Sequence, residues 1–270
     1  MMTIAGKVYL VGGGPGDPEL LTLKAHRVLG EADALVYDRL VSQDIVDLAP
    51  AGCTRIFVGK ASGNHTMPQE DINDLLVKLA RTNHTVVRLK GGDPYIFGRG
   101  SEEALHLSKC SVPFEIVPGI TAAAGISAAT GIPLTHRALA TGVKFVTGHG
   151  RGDDELDLDW KSLADTQTTL VIYMGLGKLE TLSRELMNAG LAPDTPAAAI
   201  ANGTMATQRQ CVSTLANLPD AVKSIDLKPP VLCLIGRVVS LAQQLNWQGL
   251  VYEGPGQDFQ QEDRDVQARA

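Results

Sequence analysis

In the first half of the chain, short strand-like runs alternate with helix-like runs, and this alternation constrains the fold more than any other feature. The strand-like runs are KVYLVG, ALVYD, TRIFVG and TVVRLKGG, and a helical run separates each one from the next. Strands and helices in this order build a parallel sheet with helices on its faces. The alternation therefore predicts an α/β fold.

The first helical run has a marked start. Asp17 suits the N-cap position and Pro18 suits the first turn of a helix. Apolar residues then recur at helical spacing at Leu21, Ala25, Val28 and Leu29. This pattern predicts a helix from Pro18 that turns one apolar face towards the sheet.

A Pro-Gly turn followed by a helix of small residues indicates a crossover between two halves of the chain. We place the boundary near Pro118, which gives domains over residues 1–118 and 119–250. The second half carries further strand-like runs with a helix near 178–189, and its late short strands are typical of antiparallel pairing. Residues 251–270 are polar with little to bury, and we expect a disordered tail there.

Charge and composition exclude several classes of function. The formal net charge is −6, but residues 251–270 hold five acids against two arginines, so the body of the chain is nearly neutral. Nucleic-acid-binding proteins present a basic face instead. We find neither a signal-peptide pattern nor an apolar run near the ~18 residues of a membrane span. The four cysteines are far apart without a CxxC pair, which predicts reduced thiols, no metal site and a cytoplasmic protein.

Two glycine-rich loops are candidate binding sites. The first, VGGGPGDPELL, lies between a strand and a helix, where backbone amides can hold an anion. Pro15 interrupts the usual dinucleotide-binding turn, so an NAD-binding dehydrogenase domain stays open but is not favoured. In the second, RLKGGDPYIFGRGSEE, Gly91 and Gly92 allow close backbone approach and Asp93 can pair with an amine or a ribose hydroxyl. A tight turn in which Asp93 caps the next helix explains the same residues.

Further polar residues stand at the ends of strands and turns. They are Asp38 and Arg39 in YDRLVS, Lys60 in FVGK, and His136 and Arg137 in LTHR. Taken singly, such residues are usually surface or capping residues, and we interpret His136 as structural.

The ordered set of motifs is far more specific than any one loop. It comprises VGGGPGDPELLTLKA, VYDRLVS, FVGK, PQE, RLKGGDPYIFGRG, VPGITAAAG, GIPLTHR, VTGH, YMGL and NGT, from about residue 6 to 248. This set resembles the uroporphyrinogen-III C-methyltransferases, a branch of the tetrapyrrole methylases whose other members vary in VYDRLVS, FVGK and GRG. One departure is Gly13, where alanine is commoner in the family.

The resemblance implies a two-domain tetrapyrrole methylase fold, the class III methyltransferase fold, with mixed sheets flanked by helices. It also implies a homodimer with S-adenosylmethionine in the cleft between the domains. The implied cofactor-binding residues are Pro15, Gly91, Gly92, Asp93, Ile96, Thr121, Ala122, Met174 and Gly203. The implied catalytic residues are Asp38, Lys60 and Arg99, and the implied substrate-binding residues are Arg39, Arg99, Glu102, Arg137 and Met174.

The implied reaction is methylation of uroporphyrinogen III at C2 and C7, which gives precorrin-2 for sirohaem, cobalamin or haem d1 and two molecules of S-adenosylhomocysteine. A pyrrole carbon attacks the sulfonium methyl in line, and a proton then leaves the macrocycle. Asp38 is the expected acceptor, because Arg99 stays protonated and suits a carboxylate clamp. A methylase of a later corrin intermediate and a ribosomal-RNA ribose methyltransferase are the alternative enzymes. No dehydrogenase and ferrochelatase segment, which some relatives carry, is found, so we expect the activity to stop at methylation.

Overall fold

The structure, a computed structural model, describes residues 6–59, 67–150 and 156–253. The chain separates into two compact units, and the division falls between Ala122 and Ala123, a few residues beyond the boundary predicted near Pro118. Each unit contains a five-stranded sheet. Within the described ranges, no helix is long and apolar enough to cross a membrane.

The first unit alternates strands and helices. Its elements are β1 (Lys7–Gly12), a 3₁₀ helix (Pro18–Leu20), α1 (Leu23–Gly30), β2 (Ala34–Tyr37), α2 (Gln43–Val46), β3 (Thr54–Phe57), α3 (Gln69–Ala80), β4 (Thr85–Lys90), α4 (Gly100–Lys109) and β5 (Phe114–Val117). The strand order is β3-β2-β4-β1-β5, and every pair is parallel. The predicted α/β class is confirmed, and the carboxyl ends of all five strands share one edge of the sheet.

The helix predicted from Pro18 begins later than expected. Asp17 accepts a hydrogen bond of 2.9 Å from the amide two residues on, but this caps only a 3₁₀ turn. Thr22 has extended backbone angles and accepts a bond of 3.1 Å from the Ala25 amide, so it is the N-cap of α1. A second capping residue inside the predicted helix therefore moved its start, while its apolar face is buried as predicted.

Alternate residues of the first sheet face two helical layers. One face packs against α3 and α4 and includes Val8, Leu10, Val36 and Val86. The other face packs against α1 and α2 and includes Val11, Leu35, Val87 and Leu89. Because side chains alternate along a strand, Arg88 and Lys90 of β4 share the face of Val86, which is turned towards α3 and α4.

The second unit follows the predicted change to antiparallel pairing. Its elements, with the helix that leads into them, are α5 (Ala122–Thr130), β6 (Gly142–Thr147), α6 (Trp160–Leu163), β7 (Thr168–Tyr173), α7 (Leu179–Asn188), β8 (Pro196–Ala201), β9 (Arg209–Thr214), α8 (Leu218–Ser224) and β10 (Val231–Ile235). The strand order is β6-β7-β10-β8-β9. β6 pairs parallel with β7, and the other pairs are antiparallel.

The cysteines are free thiols, and all except the exposed Cys110 are buried. Burial raises the pKa of Cys211 to about 11 and that of Cys233 to about 12. These two thiols are inert apolar side chains in the core of the second unit, as expected for reduced cysteines.

An ion-pair cluster on β5 predicts an acid-dependent contribution to stability. Glu115 accepts hydrogen bonds from Lys24 and Lys7, and these bonds lower its pKa from 4.5 to about 2. Because the pKa of the folded state lies below that of the unfolded state, this contribution is present above pH 4.5 and is lost as the pH falls towards 2.

We therefore expect Glu115→Gln to lower the free energy of unfolding at neutral pH by less than about 1 kcal/mol, since all three side chains are partly exposed. The difference from the unsubstituted protein should shrink as the pH falls through this window. Urea unfolding of both proteins along a pH series measures it. A difference that is independent of pH would contradict the assignment.

Candidate active site

The carboxyl edge of the first sheet gathers most of the predicted site residues. The loops and the helix start that follow the strands there carry Pro15, Asp38, Arg39, Gly91, Gly92, Asp93, Ile96, Arg99, Glu102, Thr121 and Ala122. This edge is where open parallel sheets bind their ligands. Lys60 follows β3 in the sequence but lies outside the described residues.

Three loops at this edge touch through their backbones. Gly14 and Gly92 exchange two hydrogen bonds, of 3.2 and 2.7 Å, which join the loops after β1 and β4. A Cβ atom on Gly119, in the loop after β5, would lie 2.3 Å from the carbonyl oxygen of Gly92. Gly92 also has a φ of +65°, a conformation that favours glycine. Only residues without side chains allow the three loops to approach this closely.

Asp93 ties two of these loops together. Its Oδ1 accepts a hydrogen bond of 2.8 Å from the Tyr95 amide, and its Oδ2 accepts one of 3.1 Å from the Gly119 amide. α4 begins only at Gly100, so the alternative in which Asp93 caps that helix is wrong. Each carboxylate oxygen keeps a second lone pair, which is available to a ligand.

Asp38 directly follows β2 and is held by both of its carboxylate oxygens. The Leu40 amide donates to Oδ1 at 3.1 Å, and Nη2 of Arg88 donates to Oδ2 at 3.2 Å. The Asp38 side chain is 25% exposed, whereas that of Arg88 is 4% exposed. The buried guanidinium of Arg88 therefore orients the carboxylate from the interior, while the carboxylate still reaches solvent at the edge of the sheet.

Arg88, which holds Asp38, belongs to a buried charge cluster formed by Arg88, Lys90 and Glu103, and the partly buried Gln69 bonds to this cluster. Oε1 of Glu103 accepts hydrogen bonds from Arg88 Nε at 3.1 Å, from Lys90 Nζ at 3.0 Å and from Gln69 Nε2 at 3.2 Å. Glu103 is fully buried. Burial lowers the pKa of Lys90, and the positive charge of Arg88 lowers it further. Glu103 of the GRGSEE motif thus binds two cations of β4 and Gln69 of the PQE motif.

Sequence reasoning missed this cluster, although the sequence carries a signal for it. Arg88 and Lys90 are two residues apart in a run that otherwise reads as a central strand, so both must face the same side of the sheet. Buried cations need partners, because an unpaired charge in the interior is strongly destabilising. That spacing predicts a buried anion nearby, but it does not identify Glu103.

Arg99 immediately precedes α4 with a left-handed backbone, at a φ of +58°. Its Nε and Nη2 donate to the two carboxylate oxygens of Glu102 at 2.8 and 2.7 Å. This hydrogen-bonded pair raises the pKa of Arg99 and lowers that of Glu102. Both side chains are about half exposed, and Glu102 occupies the two-pronged, carboxylate-binding face of the guanidinium.

The remaining predicted residues lie in the second unit. Met174 directly follows β7 with a φ of +55° and is 54% exposed. Gly203 lies against α5, since a Cβ atom there would be 2.1 Å from Cγ1 of Ile126. Arg137 is exposed in a turn whose backbone hydrogen bonds join residues 136 and 140.

Comparison with known proteins supports the resemblance seen in the motifs. Residues 7–219 match the family model of the tetrapyrrole (corrin/porphyrin) methylases. The siroheme synthase of Nitrosomonas europaea is 52% identical over 242 residues, which are 90% of this chain and 51% of that protein. The chain thus spans about half the length of the curated relatives it matches.

Solved structures support the same family resemblance. A uroporphyrin-III C-methyl transferase from Thermus thermophilus, complexed with S-adenyl homocysteine, is 42% identical with a TM-score of 0.76, over 87% of this chain and 100% of that one. A cobalt precorrin-4 methyltransferase, an enzyme of cobalamin biosynthesis, is 28% identical with a TM-score of 0.77, over 86% of this chain and 95% of that one. The predicted resemblance is confirmed, and the chain belongs to the tetrapyrrole methylases.

Proposed function

We propose that this chain transfers methyl groups from S-adenosylmethionine to C2 and C7 of uroporphyrinogen III, which gives precorrin-2 for sirohaem synthesis. The observation that carries the proposal is that an oriented carboxylate, Asp38, and a half-exposed guanidinium, Arg99, both lie at the carboxyl edge of the first sheet. The names of the similar siroheme synthases and of the similar uroporphyrin-III methyl transferase support this substrate and pathway.

The glycine loops fit the cofactor of the family. Where the loops after β1, β4 and β5 meet, a Cβ atom added to Gly12 or to Gly119 would lie 2.5 or 2.3 Å from the backbone of a neighbouring loop, so main chain meets main chain there without intervening side chains. Such a surface lets a ligand approach backbone amides and carbonyls closely. The residues that the resemblance assigns to the cofactor are Pro15, Gly91, Gly92, Asp93, Ile96, Thr121, Ala122, Met174 and Gly203. When bound, S-adenosylmethionine supplies an electrophilic methyl group.

The exposed cations would recognise the eight carboxylates of the substrate. Nε and Nη2 of Arg99 form the fork that matches a carboxylate, and a substrate carboxylate would take the place that the Glu102 carboxylate occupies on it. Arg39 and Arg137 are exposed and would bind further carboxylates. The same role is proposed for Lys60, which lies outside the described residues.

Asp38 would take the proton that leaves the macrocycle after a ring carbon has gained its methyl group. Its partial exposure makes the carboxylate accessible, and the bonds from Leu40 and Arg88 set its direction. A carboxylate placed in this way acts as a general base without any movement of the backbone.

Assembly and location complete the proposal. We place the protein in the cytoplasm, as its scattered cysteines predict, and we expect a homodimer, as the resemblance implies. Light scattering of the purified protein should give twice the mass of one chain. A mass equal to one chain would contradict the dimer and leave the proposed chemistry unaffected.

Product mass tests the reaction directly. The purified protein is incubated anaerobically with uroporphyrinogen III and S-adenosylmethionine, and a parallel sample lacks the tetrapyrrole. We expect a product with two added methyl groups. One added methyl group would contradict the double methylation. No transfer by a folded protein that binds S-adenosylhomocysteine would favour another tetrapyrrole substrate, such as a later corrin intermediate, which the similarity to a precorrin-4 enzyme makes the second candidate.

Arg99→Ala should raise the KM for uroporphyrinogen III by about 10-fold or more, because a charge-assisted bond of about 1.5–3 kcal/mol is lost. The turnover number at saturation should change less, since Arg99 binds the substrate and moves no proton. Steady-state kinetics measures both constants. Arg184→Ala, which removes an exposed arginine of α7, is the matched control. An unchanged KM would exclude Arg99 as a clamp.

A further inference from the structure

The buried charge cluster replaces an apolar core where one is expected. On the face of the first sheet that packs against α3 and α4, the buried strand side chains are apolar except for Arg88 and Lys90 of β4. There, Arg88 is 3% exposed, Lys90 is 4% exposed and Glu103 is fully buried. Burying these three charged side chains is energetically costly, and they lie next to Asp38, the proposed catalytic carboxylate. Their position therefore needs a physical reason.

We propose that Glu103 is a positioning residue, which holds the guanidinium of Arg88 so that Arg88 in turn holds Asp38 in its reactive orientation. The inference rests on the proposed role of Asp38 as proton acceptor. Glu103 itself is buried and touches neither substrate nor cofactor in this scheme.

The geometry of Arg88 transmits this constraint. Its Nε donates to Glu103, its Nη1 donates to the Leu89 carbonyl at 3.0 Å, and its Nη2 donates to Asp38. A guanidinium is planar and rigid, so the bond at Nε fixes the direction in which Nη2 points. Glu103 on α4 and Asp38 after β2 are therefore connected by a single rigid group.

Charge balance gives Glu103 a second effect. The cluster and Asp38 together contain two cations, Arg88 and Lys90, and two carboxylates, Glu103 and Asp38. Lys90 donates to the same oxygen of Glu103 as Arg88 does. Without the negative charge of Glu103, two buried cations would face the single carboxylate of Asp38, and Lys90 would compete with Arg88 for it.

Stability alone does not account for these residues. Oε2 of Glu103 is buried and has no hydrogen-bond partner among the residues that the structure describes. Buried ion pairs are weak contributors to stability, and apolar residues of similar volume often replace them without loss. A purely structural role would therefore be served better by apolar side chains, as on the rest of this face.

The experiment compares Glu103→Gln, Lys90→Met and the double variant with the unsubstituted protein. In Glu103→Gln the amide oxygen can still accept from Arg88, but the lost negative charge leaves Lys90 to compete with Arg88 for Asp38. We therefore expect the turnover number to fall by about 100-fold, the cost typical of a misplaced catalytic group. KM for uroporphyrinogen III and the affinity for S-adenosylhomocysteine should stay within about 3-fold, since Glu103 contacts neither ligand. The double variant removes the surplus cation while an amide oxygen still accepts from Arg88, so it should recover most of the lost turnover.

Glu115→Gln is the matched control. It also removes a carboxylate that accepts from two cations in the first unit, but Glu115 lies on β5 and is joined to Lys7 and Lys24 rather than to the cluster. Its turnover number should be unchanged.

The outcomes separate this inference from the proposed function. Full turnover in Glu103→Gln, or a loss that the double variant does not recover although it is folded and binds S-adenosylhomocysteine, would overturn the positioning role. If the unsubstituted protein makes no methylated product, the proposed function is contradicted, and this result is distinct from a loss seen only in Glu103→Gln. Thermal unfolding of every variant identifies any loss caused by unfolding alone, and a turnover loss that tracks such unfolding would also overturn the inference.

Discussion

Asp38→Asn should lower the rate at which the methylated and deprotonated product forms by about 10²–10⁴-fold, the range that a positioned general base contributes. An amide has no carboxylate to receive the proton, and it offers one acceptor oxygen where Asp38 uses two, for Leu40 and for Arg88. Anaerobic single-turnover assays with saturating S-adenosylmethionine measure the rate. Affinity for S-adenosylhomocysteine, measured by calorimetry, should be retained.

Asp220→Asn serves as the control for this substitution, because Asp220 is exposed on α8 in the second unit. Its rate should match that of the unsubstituted protein. If Asp38→Asn keeps more than about a tenth of the rate, Asp38 is not the proton acceptor, because the loss would fall below the range of general-base catalysis.

Gly119→Ala should weaken the binding of S-adenosylhomocysteine by about 100-fold, equivalent to roughly 2.7 kcal/mol. The new Cβ atom would lie 2.3 Å from the Gly92 carbonyl oxygen and 2.8 Å from backbone atoms of Gly12, so at least one of the three loops must move. Strain from overpacking is of this size, about 1–3 kcal/mol. Isothermal titration calorimetry gives the affinity directly.

Gly52→Ala is the matched control in the same unit, since an added Cβ atom there meets no atom within 4 Å. It should bind S-adenosylhomocysteine as the unsubstituted protein does. Unchanged binding by a folded Gly119→Ala protein would show that the closed contact of the glycine loops does not shape the cofactor site.

Local patterns determined much of the fold. The alternation of strands and helices was sufficient for the parallel first sheet, because hydrophobic periodicity and turn residues act over a few neighbouring positions. The late short strands indicated the antiparallel pairs of the second unit for the same reason. The predicted start of α1 was wrong because two capping residues, Asp17 and Thr22, lie within six positions of each other. Packing decides which of them caps the longer helix.

The sequence by itself also placed Asp38, Asp93 and Arg99 at the ends of strands and in loops, and its ordered motifs identified the family. Only the tertiary structure decided what these side chains touch. Arg88 is 50 positions from Asp38 and 15 from Glu103, and Gly119 is 26 positions from Asp93. Contacts at such separations depend on strand order and on which helix covers which face of the sheet. Local propensity does not encode that information, so the network beneath Asp38 became visible only when β2, β4 and α4 were placed side by side.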